Sequence, residues 1–194
     1  MSVETTDKLD QSDMARLVSG HDAALNDLME RHAAGVFHFL CRMVGNEDDA
    51  NDLAQETFVR VFRSCKSFRE GSKFSTWLFT IAANLARNHF RWRSRHPTHS
   101  LEAQTGDSGQ TTGDVLPSNI AAPDQEALSI ERWEAVRAAV KGLPEDLREA
   151  IVLCEWEEQS VARASEILGT TPKAVESRLY RGRILLRERL KAWL

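Results

Sequence analysis

The sequence predicts an all-α protein made of two small helical domains that are joined by a flexible acidic linker. Helical periodicity runs almost without interruption through residues 10–95 and resumes at about residue 126, while alternating strand patterns are absent. The stretch between is rich in Thr, Ser, Gly and Asp and holds three of the five prolines, which is typical of a linker. We therefore expect an N-terminal domain over 10–96, a linker over 97–125, and a C-terminal domain with a helix-turn-helix over 126–194.

The charge of the 194 residues is divided sharply, although the formal net charge is only −4. Residues 46–56 carry five acids and no base, whereas residues 87–95 carry four arginines and no acid. Residues 96–131 carry six acids and neither Lys nor Arg. Such blocks indicate separate surfaces with different partners, one of them polyanionic.

The three cysteines, Cys41, Cys65 and Cys154, are odd in number and far apart, which favours reduced thiols in a cytoplasm over a disulfide framework. Cys41 with His38 and His32 is poorly spaced for a shared metal site, so we expect no metal and no cofactor. No apolar run approaches the roughly 18 residues of a membrane span, and the N-terminus lacks a basic region followed by an apolar one. We expect neither secretion nor membrane insertion.

The first helix with a functional pattern is predicted over residues 47–64, and Asp48 and Asp49 in its first turn suit the positive end of the helix dipole. Its predicted buried stripe consists of Ala54, Phe58, Val61 and Cys65. The other face carries Asp52, Gln55, Glu56, Val59 and Arg63. A solvated face is the simple interpretation, but Val59 exposed among acids favours a protein-binding surface.

A second helix is predicted over residues 76–95. The residues expected to point inward are Leu78, Ile81, Ala82, Leu85 and Trp92, and those on the outer stripe are Trp77, Thr80, Asn84, Arg87 and Arg91. An aromatic ring, small polar groups and arginines in a row suit single-stranded nucleic acid, because rings stack on bases while charges follow phosphates. The polar loop before it, residues 68–75, is able to hold an unstacked base. The alternative is that Trp77 and Phe74 are core residues.

Residues 160–191 predict two helices that meet at Gly169, where glycine allows a positive φ. Thr170 and Thr171 offer hydroxyls to cap the second helix, and Pro172 suits its first turn. That helix buries Val175, Leu179, Gly182, Leu186 and Leu190, and turns Lys173, Ser177, Tyr180 and Arg181 outward. Residues 173–191 hold seven Lys/Arg and two Glu, so a helix-turn-helix that reads a DNA major groove is favoured over a plain helical hairpin.

Four segments in this order resemble the extracytoplasmic function (ECF) group of bacterial sigma factors. They are DLAQETFVRVFRSCKSF (52–68), FSTWLFTIAANLARNHFRWRSR (74–95), GLPEDLREAIVL (142–153) and the helix-turn-helix. The resemblance covers nearly the whole chain except the first ten residues. It implies a protein that binds core RNA polymerase, recognises promoter DNA and promotes strand opening, without catalysing a reaction itself.

The resemblance also implies roles for particular residues. The polymerase-binding residues would be Asp52, Gln55, Glu56, Val59 and Arg63. The loop residues that capture a flipped base of the non-template strand would be Ser72, Lys73, Phe74 and Ser75. Neighbouring bases and phosphates would be held by Trp77, Asn84, Arg87, Asn88 and Arg91. The upstream promoter element would be read as duplex by Lys173, Glu176, Ser177, Arg178 and Arg181.

An anti-sigma protein that covers these faces is the further partner that the resemblance implies. Two other classes of protein stay open at this stage. A dimeric helix-turn-helix regulator would bind a palindromic duplex without core polymerase. An enzyme is the weaker alternative, because the sequence shows no paired-carboxylate, Walker-type or His/Cys cluster at suitable spacing.

Overall fold

The computed structural model describes residues 3–96 and 123–193, with side chains described for 5–96 and 131–193. In this part the protein is all-α, as predicted. The helices are α1 (Val3–Val18), α2 (Ala24–Val44), α3 (Glu47–Ser64), α4 (Phe74–Arg95), α5 (Pro123–Lys141), α6 (Glu145–Ile151), α7 (Val161–Leu168) and α8 (Pro172–Arg189). A 3₁₀ turn (Cys65–Ser67) follows α3, a π-helical turn (Val152–Trp156) follows α6, and a 3₁₀ turn (Lys191–Trp193) follows α8.

The predicted linker over 97–125 falls almost wholly outside the described residues, and its last three residues open α5. No helix within 3–96 or 123–193 is long and apolar enough to cross a lipid bilayer.

Helices α1–α4 pack around one apolar core that is centred on α2. Phe39, Leu40 and Met43 of α2 are fully buried, as is Leu78 of α4. Helix α3 has the predicted bounds, because the Asn46 side chain accepts a hydrogen bond from Asp49 N at 2.8 Å and caps the first turn. The helical region begins at Val3 rather than near residue 10, so α1 forms a full helix against α2 and α4.

The C-terminal helices are held together by a close crossing of α6 and α8. A Cβ atom on Gly182 of α8 would lie 2.7 Å from Cγ1 of Ile151, so only glycine permits this approach. Ile151, Val175 and Leu179 are buried at the crossing, and α7 adds Ile167. This packing holds the outer face of α8 away from the core.

The two helical domains also pack against each other, which the sequence pattern did not predict. Helix α4 contacts α7, and α2 contacts α5 and the π-helical turn. The buried Arg148 guanidinium donates hydrogen bonds to the carbonyl oxygen of Met43 in α2 and to those of Lys141 and Leu143 in its own domain. It also lies over the Phe90 ring of α4, 5.3 Å from the ring centroid. The domains therefore share one continuous core.

Candidate nucleic-acid interface

The helix-turn-helix forms as predicted at residues 160–189. Gly169 ends α7 with φ of +62° in the left-handed region. The Thr171 side chain then caps α8 by accepting a hydrogen bond from Ala174 N at 3.2 Å, and Pro172 occupies the first turn. The Ser160 hydroxyl caps α7 in the same way through Arg163 N.

The outer face of α8 is exposed where the sequence predicts duplex contacts. Four of the five predicted residues are exposed, and Arg178 is half-buried: Lys173, Glu176, Ser177, Arg178 and Arg181. Tyr180 lies beside them with 69% of its surface exposed. Arg178 and Arg181 both lie near the Asp146 carboxylate, at 3.8 and 3.9 Å. At such distances the carboxylate holds neither guanidinium tightly, so both remain available to phosphates or base edges.

The predicted protein-binding face of α3 is open to solvent. Its residues are exposed or half-buried: Asp52, Gln55, Glu56, Val59 and Arg63. Val59 is 39% exposed, and Phe62, which the sequence analysis missed, is 41% exposed. Phe62 lies three residues after Val59, a spacing that places both side chains on the same face of the helix. Two exposed apolar side chains among charges form a surface suited to a protein partner.

The loop before α4 and the first turns of α4 line a cleft of about 500 Å³. Its walls include the half-buried Ser72, Lys73 and Trp77. Ser75 is half-buried as well. The Trp77 ring packs against Phe68, with centroids 5.3 Å apart at a tilted angle. An aromatic wall beside polar loop groups is the arrangement that an unstacked base requires.

Phe74 differs from the other loop residues, because it is only 1% exposed. Its ring packs between His32, at a centroid distance of 5.2 Å, and Phe68 and Trp77, both at 6.3 Å. Phe74 is therefore a core residue that packs against Phe68 and Trp77, two of the rings that line the cleft.

The outer stripe of α4 continues from this cleft. Asn84, Asn88 and Arg91 are exposed, whereas Arg87 is half-buried. Arg91 donates a hydrogen bond to Asn88 Oδ1, so these two side chains form one polar unit. The inward orientation predicted for Trp92 is wrong: the ring is 55% exposed and stacks on His96 with centroids 5.1 Å apart. Helix α4 extends past the end of the core there, so the periodic pattern has nothing to pack against.

Helix α7 closes one side of the cleft. Arg163 and Glu166 of α7 lie among the residues that line it, opposite Trp77 and Thr80 of α4. The first helix of the helix-turn-helix thus forms one wall of the cleft, close to the Trp77 ring.

Two carboxylates lie where the domains meet, the buried Glu149 and the half-buried Glu157. Burial raises the pKa of Glu149, which is 4% exposed, to about 7, against the opposing effect of the nearby Arg87 guanidinium. Burial likewise raises the pKa of Glu157 to about 7, and Arg42 Nη1 lies 3.4 Å from its Oε1 atom. Arg42 also lies over the Trp156 ring at 5.8 Å. Arg42 and Arg87 thus join α2 and α4 to the C-terminal domain.

A polar network on α1 was also missed by the sequence analysis. Asp10 and Asp13 are buried, at 1% and 7% exposure, and both accept hydrogen bonds from Arg31 of α2. The sequence did contain a signal for it, since residues 7–13 carry aspartates spaced three apart on one helix face and residues 31–32 are both basic. Such a pattern indicates ion pairs between the two helices.

Comparison with known proteins gives matches over both halves of the chain. Residues 28–96 match the family model described as Sigma-70 region 2, and residues 133–186 match the model described as Sigma-70, region 4. The chain is 32% identical to the ECF RNA polymerase sigma factor SigW of Bacillus subtilis, over 89% of this chain and 91% of SigW. It is 38% identical to the RNA polymerase sigma factor CarQ of Myxococcus xanthus, over 91% of this chain and 95% of CarQ.

Two solved structures are similar in fold over most of the chain. One is CnrH in complex with the cytosolic domain of CnrY, with a TM-score of 0.68, 25% identity, and coverage of 95% of this chain and 98% of CnrH. The other is the sigma factor RpoE of Bartonella quintana in complex with the anti-sigma factor NepR, with a TM-score of 0.66, 26% identity, and coverage of 87% and 98%.

Proposed function

Because the chain belongs to the ECF family of bacterial RNA polymerase sigma factors, we propose that three of its surfaces divide the steps of transcription initiation. The protein binds core RNA polymerase and recognises promoters, as the matches to both sigma regions establish. Members of the family are transcription initiation factors, and the dimeric regulator is not favoured. The assignment of each step to particular residues is the proposal.

The α3 face meets core polymerase in this proposal. The residues that carry the contact are Asp52, Gln55, Glu56, Val59 and Arg63. The exposure of Val59 together with Phe62 supports this assignment, since interface cores are apolar and their rims polar. The charged neighbours would then orient the partner rather than provide most of the affinity.

The outer face of α8 reads promoter duplex through Lys173, Glu176, Ser177, Arg178 and Arg181. Guanidinium groups donate to guanine edges or to phosphates, and a glutamate accepts from a cytosine amine. Binding of this kind is strongly salt-dependent, because each neutralised phosphate releases counterions. Core polymerase would fix the position of this face relative to the α4 face, so the complete factor binds promoter DNA at two places.

The cleft at the start of α4 takes a base of the melted strand. The aromatic wall of Trp77 and the polar groups of Ser72 and Lys73 support this assignment, and their position along the cleft is the observation that carries the proposal. Ser75, in the first turn of α4, is assigned to the same base. Asn84, Arg87, Asn88 and Arg91 continue it along α4 for neighbouring bases and phosphates. Phe74 contributes by supporting Trp77 from below.

Strand binding requires the two domains to separate. Helix α7 lines the cleft with Arg163 and Glu166, and Arg87 is paired with Glu149 across the domain contact. A base therefore enters only after α7 moves away from α4. Polymerase binding is the step that would hold the domains apart.

An anti-sigma protein is a further proposed partner, and the bacterial cytoplasm is the proposed location. The similar structure of RpoE contains an anti-sigma factor, and exposed apolar groups on both domains of this chain (Val59, Phe62, Tyr180 and Ile184) suit such a partner. Affinity capture from cells grown under several conditions tests this point. Recovery of polymerase subunits alone under every condition would contradict it.

The strand-binding proposal is tested with 2-aminopurine promoter DNA, whose fluorescence rises when the labelled base unstacks. In holoenzyme that carries Trp77→Ala, promoter opening should be reduced by about tenfold or more. Stacking of a base on an aromatic ring contributes roughly 1–3 kcal/mol. Trp92→Ala is the matched control on the same helix, because Trp92 is exposed and lies outside the cleft. Equal fluorescence for the Trp77 variant and the wild type would refute the assignment.

A further inference from the structure

Helix α1 lies directly against the loop that forms the cleft, although residues 3–18 precede the segment that matches sigma region 2. It contacts α4 and the 3₁₀ turn at Cys65–Ser67. Met14 and Leu17 supply its apolar anchor, at 1% and 3% exposure. Its polar contacts go to Lys73, which lines the cleft, and to Arg31 and His32 of α2.

Asp10 makes the central contact. Its carboxylate is 1% exposed, and its two oxygens are used separately. Oδ1 accepts from Arg31 Nε at 2.9 Å, and Oδ2 accepts from His32 Nε2 at 2.8 Å. The second bond fixes the plane of the His32 ring, which packs edge-on against Phe74 at 5.2 Å. Asp10 is thus linked through the His32 ring to Phe74, which packs against Trp77 of the cleft.

Asp7 makes a second contact one turn earlier. Its Oδ2 atom accepts a hydrogen bond from Lys73 Nζ at 2.7 Å. The two side chains are 24% and 37% exposed, so the pair lies at the edge of the protein. Lys73 immediately precedes α4 and lines the cleft. The pair holds the lysine at one place on the rim instead of leaving its long side chain free.

We infer that α1 is a positioning element for the base-binding cleft, with Asp10 acting through His32 on Phe74 and Asp7 acting through Lys73. The inference rests on the proposed function of the cleft. Burying the Asp10 carboxylate costs more than an apolar contact would, so simple attachment of α1 does not explain it. A fixed Phe74 behind Trp77 and a fixed Lys73 on the rim explain it, because a base is held well only by groups that are already in place.

The experiment measures how much holoenzyme affinity depends on the captured base. Forked promoter DNA is prepared with an abasic site placed at each unpaired position in turn along the non-template strand. The ratio of affinities for intact and abasic DNA is then compared between wild type and the variants Asp10→Asn and Asp7→Asn. Asp27→Asn is the matched control, because Asp27 pairs with Arg16 on the exposed side of α1 and α2, away from the cleft.

For wild type we expect a ratio of roughly five- to 150-fold at one position. Both test variants should lower that ratio by about threefold or more, while Asp27→Asn leaves it unchanged and Asp7→Glu restores most of it. Core polymerase affinity and duplex affinity should stay at the wild-type level. This pattern separates positioning from a general loss of stability, which would weaken every kind of binding together.

Two results overturn the inference. The first is that Asp7→Asn and Asp10→Asn keep the wild-type ratio of affinities for intact and abasic DNA, whatever happens to their stability. If Asp10→Asn does not fold, the comparison of Asp7→Asn with Asp7→Glu decides alone. The other is a wild-type protein that is insensitive to abasic sites at every position, which would also refute the proposed function of the cleft. The first result leaves the cleft proposal intact, so the two failures are distinguishable.

Discussion

Arg87 of α4 and Glu149 of α6 form an ion pair across the two domains, with Nε 2.9 Å from Oε1. The Nε–H group itself points to the carbonyl of Ala83, at 3.3 Å, and Glu149 Oε1 accepts no hydrogen bond among the residues described. The carboxylate is thus buried against a charge without being fully satisfied. The same arginine is a proposed contact of the melted strand, so under that proposal the pair would couple domain packing to strand binding.

The domain contact should weaken as the pH rises. Burial raises the pKa of both Glu149 and Glu157 to about 7 in the packed arrangement, whereas separated domains would leave them near the ordinary value of 4.5. The packed state therefore binds more protons than the separated state. The free energy of domain packing is most favourable below about pH 5 and weakens by up to roughly 3 kcal/mol per group by pH 8. Fluorescence resonance energy transfer between two dyes, one attached to each domain, should decrease over this range.

The control for this experiment is the double variant Glu149→Gln with Glu157→Gln, which cannot titrate at either position. Its energy transfer should be nearly constant from pH 5 to 8. A pH profile equal to that of the wild type would place the titration at other groups and contradict the interpretation.

Val59 should carry much of the affinity for core polymerase. Placing a charge in the apolar centre of the α3 face by Val59→Asp should weaken core binding by about tenfold or more, because the carboxylate would be desolvated without a partner. Val18→Asp is a closely matched control, since Val18 of α1 is 40% exposed and Val59 is 39% exposed. Titration of labelled protein with core enzyme measures both, and equal affinities for the two variants would exclude α3 as the main contact.

Arg181 should contribute to duplex recognition by α8. Arg181→Ala should reduce the affinity of the holoenzyme for its promoter by an amount equivalent to about 1–3 kcal/mol if the side chain reads a base edge. If Arg181 contacts only phosphate, the loss of affinity should be similar on all DNA sequences. The slope of log affinity against log salt concentration should then decrease in magnitude by about one. Arg187→Ala, on the same helix and exposed, should have a smaller effect in the same binding assay. A larger effect at Arg187 would place the DNA on a different face.

Gly182 should contribute to the packing of α6 on α8. Gly182→Ala places a Cβ atom 2.7 Å from Cγ1 of the fully buried Ile151, and the repacking should cost about 1–3 kcal/mol. The better helix propensity of alanine offsets about 1 kcal/mol of this cost. Gly35→Ala in α2 is the informative control, because its Cβ would meet no atom within 4 Å and should stabilise the protein. Chemical denaturation measures both, and a stabilised Gly182 variant would contradict the close crossing.

Local signals explain what the sequence predicted well. Asn46 followed by three acids determines where α3 begins, and Gly169 with Thr171 and Pro172 determines the turn between α7 and α8. Each of these elements depends on caps and turn residues that lie within a few positions of one another. The exposure of the α3 and α8 faces followed from the same helical periodicity.

The parts that were not predicted depend on contacts between residues distant in the chain. Arg148 reaches the carbonyl of Met43 more than a hundred residues away, and Arg87 pairs with Glu149 from the other domain. No local periodicity reports such contacts, so the packed arrangement and the covered cleft were missed. Trp92 was misplaced for the opposite reason, because a regular pattern continues where α4 has left the core.

The division of work between α4 and α8 is tested most directly by comparing intact and pre-melted promoter DNA in transcription with core polymerase. Trp77→Ala should impair initiation on the intact duplex by about tenfold or more and recover most activity on a template whose strands are already unpaired. Arg181→Ala should impair initiation on both templates, because both retain the upstream duplex. Equal defects of both variants on both templates would contradict the account.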